Sequence, residues 1–326
     1  MALEEKIKLS IACLTYNHEE YIAKTLESFL RQKVNFRYEI LIHDDASKDR
    51  TAEIIREYEK KYPDIIKAIY QKVNQYSLGI RHATGAFNLP RARGEYIAMC
   101  EGDDYWTDDQ KLQKQVDYLD LHPEVSFCIH AAKVEVVDAS FTDKLVRPYS
   151  CSRKLSPQEV IDKPEGYPMA SLVFRSKYMK TMPEYYTNCP VGDIPMQLIL
   201  ASCGEGYYMD ELMSVYRIGG KASWSVLMKE GQYEKKQAEY AVGMEATYLA
   251  FDKETDHRYH EAVMSAIERI RYLTYVNTRK YDLIFDKKYR RYYRELNFRT
   301  VFFIKLQYRF PRFYEWLQKT AKKYRS

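Results

Sequence analysis

Three apolar runs in the first third of the chain each end in polar side chains that could bind a metal ion or a nucleotide. These polar clusters lie at residues 15–17, 44–45 and 103–104. A carboxylate pair suits Mg²⁺ or Mn²⁺, because hard cations prefer oxygen ligands and share them with phosphates. A carboxylate can also accept a hydrogen bond from a nucleobase or a ribose hydroxyl. Taken alone, the pair at 103–104 is explained equally well as a solvated acidic turn or a helix cap, and the pair at 44–45 has a capping cluster as its alternative.

The elements predicted around these clusters alternate between strand and helix over residues 1–130. Apolar runs predict the strands, and helical periodicity predicts the segments between them. The predicted strands cover 7–15, 38–43, 65–71 and 95–100, and the predicted helices cover 18–33, 51–62, 82–93 and 108–121. Alternation of this kind indicates an α/β fold with a mainly parallel sheet and helices on both faces. Such sheets bind ligands at the carboxyl ends of their strands, so we expect the three clusters at one edge.

The second half of the chain is less regular before it becomes helical. Strands are predicted over 125–137 and 206–217, and a short helix over 194–202. Residues 145–168 are predicted to be irregular. From about residue 226 the pattern is helical to the end, which predicts a helical C-terminal appendage on the α/β body.

The sequences of the three clusters resemble the motifs of a known family. The runs SIACLTYNHEEYI at 10–22, IHDDASKDRT at 42–51 and GEYIAMCEGDDYW at 94–106 are similar, in order and spacing, to three motifs of the family-2 glycosyltransferases. That family contains inverting enzymes with the GT-A nucleotide-sugar-binding fold. The resemblance extends over roughly residues 7–225. It implies a catalytic domain over 1–225, with a nucleotide-binding half at 1–130 and an acceptor half at 131–225, followed by a helical region at 226–326.

The resemblance implies a role for each matching position. Asp45 corresponds to the carboxylate that contacts uracil in UDP-sugar enzymes, Asp103 to the residue that faces the ribose and donor sugar, and Asp104 to the metal ligand. The implied cofactor is therefore a divalent cation, Mn²⁺ or Mg²⁺. The residues that it implies for nucleotide or donor binding are Thr15, Tyr16, Asn17, Asp44, Asp45, Arg81 and Asp103. For Arg81, the nearby Arg91 and Arg93 are competing candidates.

The family also has a catalytic carboxylate at the start of a helix on the acceptor side. Asp193, in the run VGDIPMQLIL at 191–200, matches this general base, although Gly192 stands where the family usually has Glu. A helix N-cap is the competing interpretation of Asp193. Many members carry a His in the loop after the last strand, but this chain has none between His130 and His257. In that loop, Trp224 is a candidate for stacking on a sugar or for packing.

The function that the resemblance implies is transfer of a sugar from a nucleoside-diphosphate sugar, with UDP favoured, to a hydroxyl of a glycan or a lipid-linked glycan. A nucleotidyltransferase that makes sugar nucleotides would want a Gly-rich phosphate loop, and residues 14–20 contain no Gly. A dehydrogenase would want GxGxxG after a strand, which is missing. A non-catalytic sugar-binding relic would not be expected to retain all four of Asp45, Asp103, Asp104 and Asp193.

The charge of the chain is concentrated at its C-terminal end. Of the net +5, residues 279–326 contribute 15 Lys and Arg against 4 Asp and Glu, so the rest of the chain is acidic. The same segment contains 14 aromatic residues. Basic amphipathic segments with Tyr and Trp suit anionic membrane surfaces, although packing on the catalytic domain is an equal alternative. Nucleic acid is disfavoured, because no nucleic-acid-binding motif accompanies the charge.

The remaining composition predicts the compartment. No apolar run reaches the length of about 18 residues that spans a bilayer. The charged, acidic N-terminus does not resemble a secretory signal, and the six cysteines are scattered without a CxxC pair, which suits free thiols. We therefore expect a cytoplasmic protein, peripheral on the inner face of the cell membrane if the basic segment binds lipid.

Overall fold

A computed structural model describes residues 6–137, 144–163, 167–219, 228, 231–314, 316 and 320. The described chain forms one mixed sheet with helices packed on both faces and a helical C-terminal region. The strands are β1 Leu9–Thr15, β2 Tyr38–Asp44, β3 Ile66–Tyr70, β4 Tyr96–Met99, β5 Tyr105–Trp106, β6 Val125–Val136, β7 Leu145–Val146, β8 Arg153–Leu155, β9 Val173–Arg175 and β10 Glu205–Ile218. The helices are α1 Ile22–Leu30, α2 Thr51–Lys61, α3 Lys111–Leu121, α4 Pro157–Asp162, α5 Glu184–Asn188, α6 Asp193–Ser202, α7 Tyr233–Glu254, α8 His260–Asn277, α9 Tyr281–Ile284, α10 Arg290–Glu295 and α11 Phe298–Arg309.

The strand order across the sheet is β3-β2-β1-β4-β9-β6-β10-β5. The first four of these strands run parallel, as the alternating pattern predicted. β9 then runs antiparallel to both β4 and β6, and β10 returns parallel to β6. β1 therefore lies between β2 and β4, so the three strands that precede the polar clusters are neighbours.

The strands nearest the clusters are buried on both faces of the sheet. Along β1, Leu9, Ile11 and Cys13 face one core, whereas Ala12 faces the other. Helix α1 covers the first core with Ile22, which has no exposed surface, and with the residues four and seven positions later, Leu26 and Phe29. This spacing lies on one side of a helix, so the apolar face of α1 packs on the sheet and fixes the position of β1.

Two segments differ from their predictions. Residues 82–93 form two short helical turns at Thr84–Asn88 and Leu89–Arg91 and no α-helix. Pro90 cannot donate the amide hydrogen bond that a continuing helix needs. Residues 145–168, predicted to be irregular, contain β7, β8 and α4. Helix α4 begins with a hydrogen bond from the Glu159 amide to Ser156 Oγ at 3.2 Å, a capping pattern that its sequence carries.

The C-terminal helices divide into two groups. Helices α7 and α8 join the main core, where Met244, Phe251 and Val263 are fully buried. The later helices pack against Tyr272 of α8 in a smaller core that includes Ile304. Within the part of the chain that the structure describes, no helix is both long enough and apolar enough to cross a bilayer.

Candidate active site

The three polar clusters meet at the carboxyl ends of β1, β2 and β4, which confirms the predicted juxtaposition. The Asp45 amide donates to the Thr15 carbonyl at 3.0 Å, which joins the end of β2 to the end of β1. The Gly102 amide donates to the Leu14 carbonyl at 2.8 Å on the other side. Backbone hydrogen bonds therefore hold the three loops in one arrangement.

Asn17 connects the loop after β1 to the loop after β2. Its backbone lies in the left-handed region, with φ at 55°, a conformation that Asn tolerates better than most residues. Its amide donates to Ser47 Oγ at 2.9 Å, and its Oδ1 accepts from the Lys48 amide at 2.8 Å. The backbone amide and the Oδ1 of Asn17 thus hold the β2 loop, which makes Asn17 a positioning residue in this structure.

Asp45 and Asp44 are both buried, and both accept hydrogen bonds from the protein. The Asp45 carboxylate accepts from the Gln75 amide at 2.7 Å, the Tyr76 amide at 3.2 Å and the side chain of Asn74 at 3.0 Å. It therefore anchors segment 74–76 over the strand ends. Asp44 Oδ2 accepts from the Ser47 amide, and burial raises the pKa of Asp44.

The acidic loop after β4 is held in place by β10, which lies 113 positions later in the sequence at the contact. Asp104 is only 2% exposed, and its Oδ1 accepts from the Arg217 amide of β10 at 2.8 Å. The guanidinium of Arg217 donates to the Asp103 carbonyl at 2.5 Å and lies over the rings of Tyr21 and Tyr105. Burial, and then the charge of Asp103, raises the pKa of Asp104 well above its usual value.

Glu101 is a third carboxylate in this loop that the sequence analysis did not single out. Its side chain reaches solvent, but the protein crowded around it desolvates the carboxylate and raises its pKa to about 8. The charges of Asp103 and Asp193 contribute to the same rise in pKa, after desolvation. The sequence did carry a signal, because Glu101 follows the predicted strand 95–100 and begins the same turn as Asp103 and Asp104.

His18 also belongs to this group. Its Nε2 lies 3.9 Å from Asp103 Oδ2, and burial lowers the pKa of His18 despite that neighbour. The approach depends on Gly102, because a Cβ there would lie 2.7 Å from Thr15 Oγ1 and 3.0 Å from His18 Nδ1. Neither Thr15 Oγ1 nor His18 Nδ1 has a hydrogen-bond partner within the described residues.

Asp193 is the first residue of α6, and its carboxylate is half-buried. Its Oδ1 accepts from the Ile194 amide at 2.9 Å, and burial raises the pKa of Asp193. His82 packs beneath the turn that precedes it, with Nε2 2.9 Å from the Cys189 carbonyl. A Cβ at Gly192 would lie 3.0 Å from His82 Nδ1, so glycine allows this close packing.

Tyr216, near the end of β10, is the common neighbour of the acidic residues. Burial, followed by the negative charges of four carboxylates, raises the pKa of its hydroxyl. Those carboxylates are Glu101, Asp104, Asp103 and Asp193. The fold therefore brings the acidic loop and the start of α6 into one electrostatic environment, although 90 positions separate Asp103 from Asp193 in the sequence.

The three candidate arginines have different surroundings. Arg91 donates to the Ile42 and Lys67 carbonyls, and Arg93 is paired with the buried carboxylate of Glu39. Arg81 is exposed next to His82, the residue that supports the Asp193 turn. Arg91 and Arg93 thus already have partners within the protein, which favours Arg81 among the three as the candidate donor contact.

Two predicted features lie partly or wholly outside what the structure describes. Trp224 and the loop around it are outside the described residues. Most of the basic C-terminal segment is described, and its aromatic side chains are unusually exposed. The most exposed of them are Phe298 at 86%, Trp316 at 58%, Tyr308 at 55%, Phe310 at 54% and Phe302 at 52%.

Comparison with known proteins gives a consistent result. The sequence profile described as Glycosyl transferase family 2 matches residues 10–181, more than half of the chain. The chain is also 36% identical over 265 residues to an uncharacterized protein of Mycobacterium tuberculosis, covering 79% of this chain and 72% of the relative. The profile match includes the loops after β1, β2 and β4, which carry Asp45, Asp103 and Asp104.

Solved structures share the fold. A crystal structure of S. aureus TarS in complex with UDP-GlcNAc aligns with a TM-score of 0.57 at 15% identity, covering 88% of this chain and 78% of that one. The mannosyltransferase PcManGT from Pyrobaculum calidifontis, in complex with GDP-Man and Mn²⁺, aligns with a TM-score of 0.53 at 14% identity, covering 89% and 84%. At these identities the similarity concerns the fold alone, and that fold is of the GT-A type.

Proposed function

Because this chain belongs to glycosyl transferase family 2, we propose that it is an inverting glycosyltransferase that uses a nucleoside-diphosphate sugar. The donor we favour is a UDP-sugar, and the acceptor is a hydroxyl of a glycan or a lipid-linked glycan. The observation that carries the proposal is the cluster of Glu101, Asp103, Asp104 and Asp193 around Tyr216 at the carboxyl edge of the sheet. Two structural neighbours hold a sugar nucleotide, UDP-GlcNAc in one and GDP-Man in the other, which supports this donor class.

Asp193 is the general base in this proposal. A base must be deprotonated when substrate binds and must take a proton as the new bond forms, so a carboxylate with a raised pKa suits the task. Asp193 takes the proton of the acceptor hydroxyl while that oxygen attacks C1 from the face opposite the nucleoside diphosphate. The C1–oxygen bond to the diphosphate breaks in the same step, so one displacement inverts the anomeric centre.

The acidic loop fits a divalent cation. Asp103 and Glu101 reach solvent, and Asp104 keeps one oxygen beyond its hydrogen bond to Arg217. Desolvation, followed by the charges of Asp103 and Asp193, raises the pKa of Glu101, and a cation would offset this electrostatic cost. We propose that Asp104 holds Mg²⁺ or Mn²⁺, and that the negative charges of Asp103 and Glu101 favour the cation electrostatically. The cation would offset the charge that develops on the diphosphate leaving group. The Mn²⁺ bound in PcManGT supports the choice of metal.

The loops after β1 and β2 form the nucleotide subsite in this proposal. Thr15 and Tyr16 contact the base in this proposal; Tyr16 is partly exposed, whereas Thr15 is fully buried and would contribute from beneath the subsite. Asp45 acts through segment 74–76 as well as directly, since its carboxylate already accepts three hydrogen bonds. Asp103 faces the ribose and donor sugar, and Arg81 contributes positive charge for a phosphate or a sugar. Asn17 and Asp44 hold these loops.

The proposal also assigns roles to the remaining parts of the chain. The catalytic domain covers residues 1–225, with the nucleotide half at 1–130, and the helical region covers 226–326. Trp224 is proposed as a weak acceptor contact. The exposed aromatics of residues 298–316 lie among basic residues, which supports binding to an anionic membrane surface. Such a surface, on the cytoplasmic side, is where a lipid-linked acceptor would be found.

A panel of UDP- and GDP-sugars tests the proposed donor. The purified chain is mixed with each donor, with and without Mn²⁺ or Mg²⁺, and scored by thermal shift and by donor hydrolysis. We expect one nucleotide class to raise the melting temperature, more so with the cation, and to be hydrolysed slowly. The absence of stabilisation and hydrolysis with every donor would contradict the proposal.

A further inference from the structure

The connection between α7 and α8 gathers one carboxylate and two imidazoles. Asp252 lies in the last turn of α7, His257 lies in the connection, and His260 is the first residue of α8. Nδ1 of His257 is 2.7 Å from Asp252 Oδ2, and Nδ1 of His260 is 2.8 Å from the same oxygen. The three atoms all lie within 4.8 Å of one another, so one ion could contact all of them after small side-chain movements.

The burial of the three side chains is uneven. Asp252 is 3% exposed, whereas the side chains of His257 and His260 are 67% and 56% exposed. Oδ1 of Asp252 is buried and has no hydrogen-bond partner within the described residues. Hydrogen bonds from the two imidazoles satisfy Oδ2 and leave Oδ1 unsatisfied, which is costly for a buried carboxylate. The group is therefore incomplete as a purely structural cap.

The backbone of the connection is strained in a way that brings the ligands together. Asp256 and His257 are consecutive non-glycine residues with φ at 49° and 58°, in the left-handed region. Such a conformation is unfavourable for a non-glycine residue and persists where the surroundings impose it. Here it folds the chain back so that the His257 amide donates to the Asp252 carbonyl at 2.9 Å and the ring reaches the carboxylate.

We propose that Asp252, His257 and His260 form a second metal site, separate from the acidic loop, that takes a transition-metal cation such as Zn²⁺. Imidazole nitrogens favour Zn²⁺ over Mg²⁺, and two His with one carboxylate are a common three-ligand set that leaves a further position for water. Each imidazole keeps its single proton on the exposed Nε2 when Nδ1 binds the ion, so binding requires only a change of tautomer.

The position of this site gives the metal a structural role. Phe251 and Tyr259 flank it and are buried in the main core. Farther along α7, Gly243 packs so closely on Pro190 that a Cβ there would lie 2.5 Å from the proline ring. Pro190 is three residues before Asp193. An ion bound at the connection between α7 and α8 would therefore stabilise the helix that packs on the segment leading to the proposed base.

Zinc binding by the full-length chain tests the site. The chain is stripped with a chelator and titrated with Zn²⁺ by calorimetry in excess Mg²⁺, which occupies the acidic loop. The double variant His257→Gln/His260→Gln is compared with His122→Gln, a histidine far from the hairpin. We expect one equivalent of Zn²⁺ to bind the wild type and the control, and to be lost from the double variant. Equal stoichiometry and affinity in all three proteins would overturn the proposal.

Two further measurements separate this site from incidental surface binding. Zn²⁺ should raise the melting temperature of the wild type and the control but not of the double variant, and Co²⁺ should give the absorption of a tetrahedral complex only in the first two. If the double variant does not fold, His257→Gln alone is measured, and we expect at least about tenfold weaker binding. Zinc binding without thermal stabilisation would overturn the proposal. The double variant should keep its transferase activity in Mg²⁺, so a failure of this proposal is distinguishable from a failure of the proposed function.

Discussion

The carboxyl edge of the sheet and helix α11 differ in which side chains they bury: the first buries a charged group, and the second exposes aromatic rings. At the sheet edge, the Asp104 carboxylate is 2% exposed and fixed by a backbone amide, whereas on α11 the ring of Phe298 is 86% exposed. Both arrangements are unfavourable in water alone, because charges prefer to be hydrated and aromatic rings prefer to be buried. This contrast underlies the two proposals made above: that the sheet edge binds a cation with its nucleotide, and that α11 binds an anionic membrane surface.

The two regions also differ in how they are held. The sheet edge depends on contacts between distant parts of the chain, such as the hydrogen bond from Arg217 to Asp104 across 113 positions. Helix α11 buries Ile304 in the small core and leaves most of its aromatics outside. Substitutions should therefore separate the two: changes at the sheet edge should affect chemistry, and changes on α11 should affect location.

The largest expected effect is that of Asp193→Asn on transfer. Loss of a general base typically costs about 10²–10⁴ in rate, and the amide keeps the shape of the side chain. Because the pKa of Asp193 is raised and a base must be unprotonated, wild-type activity should also fall as pH drops through that pKa. Initial rates across pH measure both effects. Asp64→Asn, an exposed carboxylate after α2, is the matched control, and equal rates in the two variants would exclude Asp193 as the base.

The next largest effect concerns membrane binding by the C-terminal aromatics. The triple variant Phe298→Ser/Phe302→Ser/Trp316→Ser should bind anionic vesicles about a hundredfold more weakly, since each half-buried aromatic contributes roughly 1 kcal/mol or more. Vesicle co-sedimentation measures this, and transfer to a soluble acceptor should be unchanged. Truncation at Lys280 is a poorer test, because it also removes Ile284, Tyr289 and Tyr292 from the small core.

A matched control separates lipid binding from general loss of apolar surface. Val242 and Leu249 are also exposed, at 70% and 46%, but lie on α7 away from the basic segment. Val242→Ser/Leu249→Ser should leave vesicle binding intact. Wild-type sedimentation by the triple variant would show that α11 only packs or interacts elsewhere, and the contrast between the two regions would then disappear.

A smaller effect is expected for the cation at the sheet edge. Glu101→Gln removes one negative charge from the crowded loop, so half-saturation of activity by Mn²⁺ should require at least about tenfold more metal. The measurement is a Mn²⁺ titration of the initial rate. Glu57→Gln, an exposed residue on α2, serves as the control. An unchanged Mn²⁺ requirement would leave the cation to Asp103 and Asp104 alone.

The smallest effect concerns the free energy of unfolding and the buried Lys111 at the start of α3. Lys111 is fully buried, its Nζ lies 4.2 Å from the centre of the Trp106 ring, and burial lowers its pKa from 10.5 to about 7. Since the Nζ has no hydrogen-bond partner within the described residues, Lys111→Met should raise the free energy of unfolding at pH 7 by about 1–3 kcal/mol. Lys60→Met, on the exposed side of α2, should change it little.

The pH dependence of that gain has a definite sign. Between about pH 7 and 10.5 the unfolded chain holds the Lys111 proton and the folded chain does not, so wild-type stability rises with pH in this window. The advantage of Lys111→Met should therefore shrink toward pH 10. Chemical denaturation at pH 7 and pH 9.5 measures it, and a pH-independent difference would contradict the lowered pKa.

The sequence was most informative where structure is local. The period of apolar residues predicted β1, α1, β2, α2 and β4, because a buried strand or an amphipathic helix leaves its pattern in consecutive residues. Parallel order then predicted that residues 15–17, 44–45 and 103–104 would meet. The pattern failed at 82–93, where Pro90 and the close packing of Gly85 on Tyr186 interrupt a helix that apolar spacing alone would allow.

Only the tertiary structure decided which polar groups form hydrogen bonds within the protein and which face the candidate site. Asp45 and Asn17 have the residue types of ligand contacts, yet the fold uses their polar atoms to hold segment 74–76 and the β2 loop. Glu101 and His18 read as ordinary polar residues, yet the fold turns them toward Asp103. The reason is physical: periodicity reflects how each residue packs within its own element, whereas hydrogen-bond partners and desolvation depend on chain segments that are distant in the sequence.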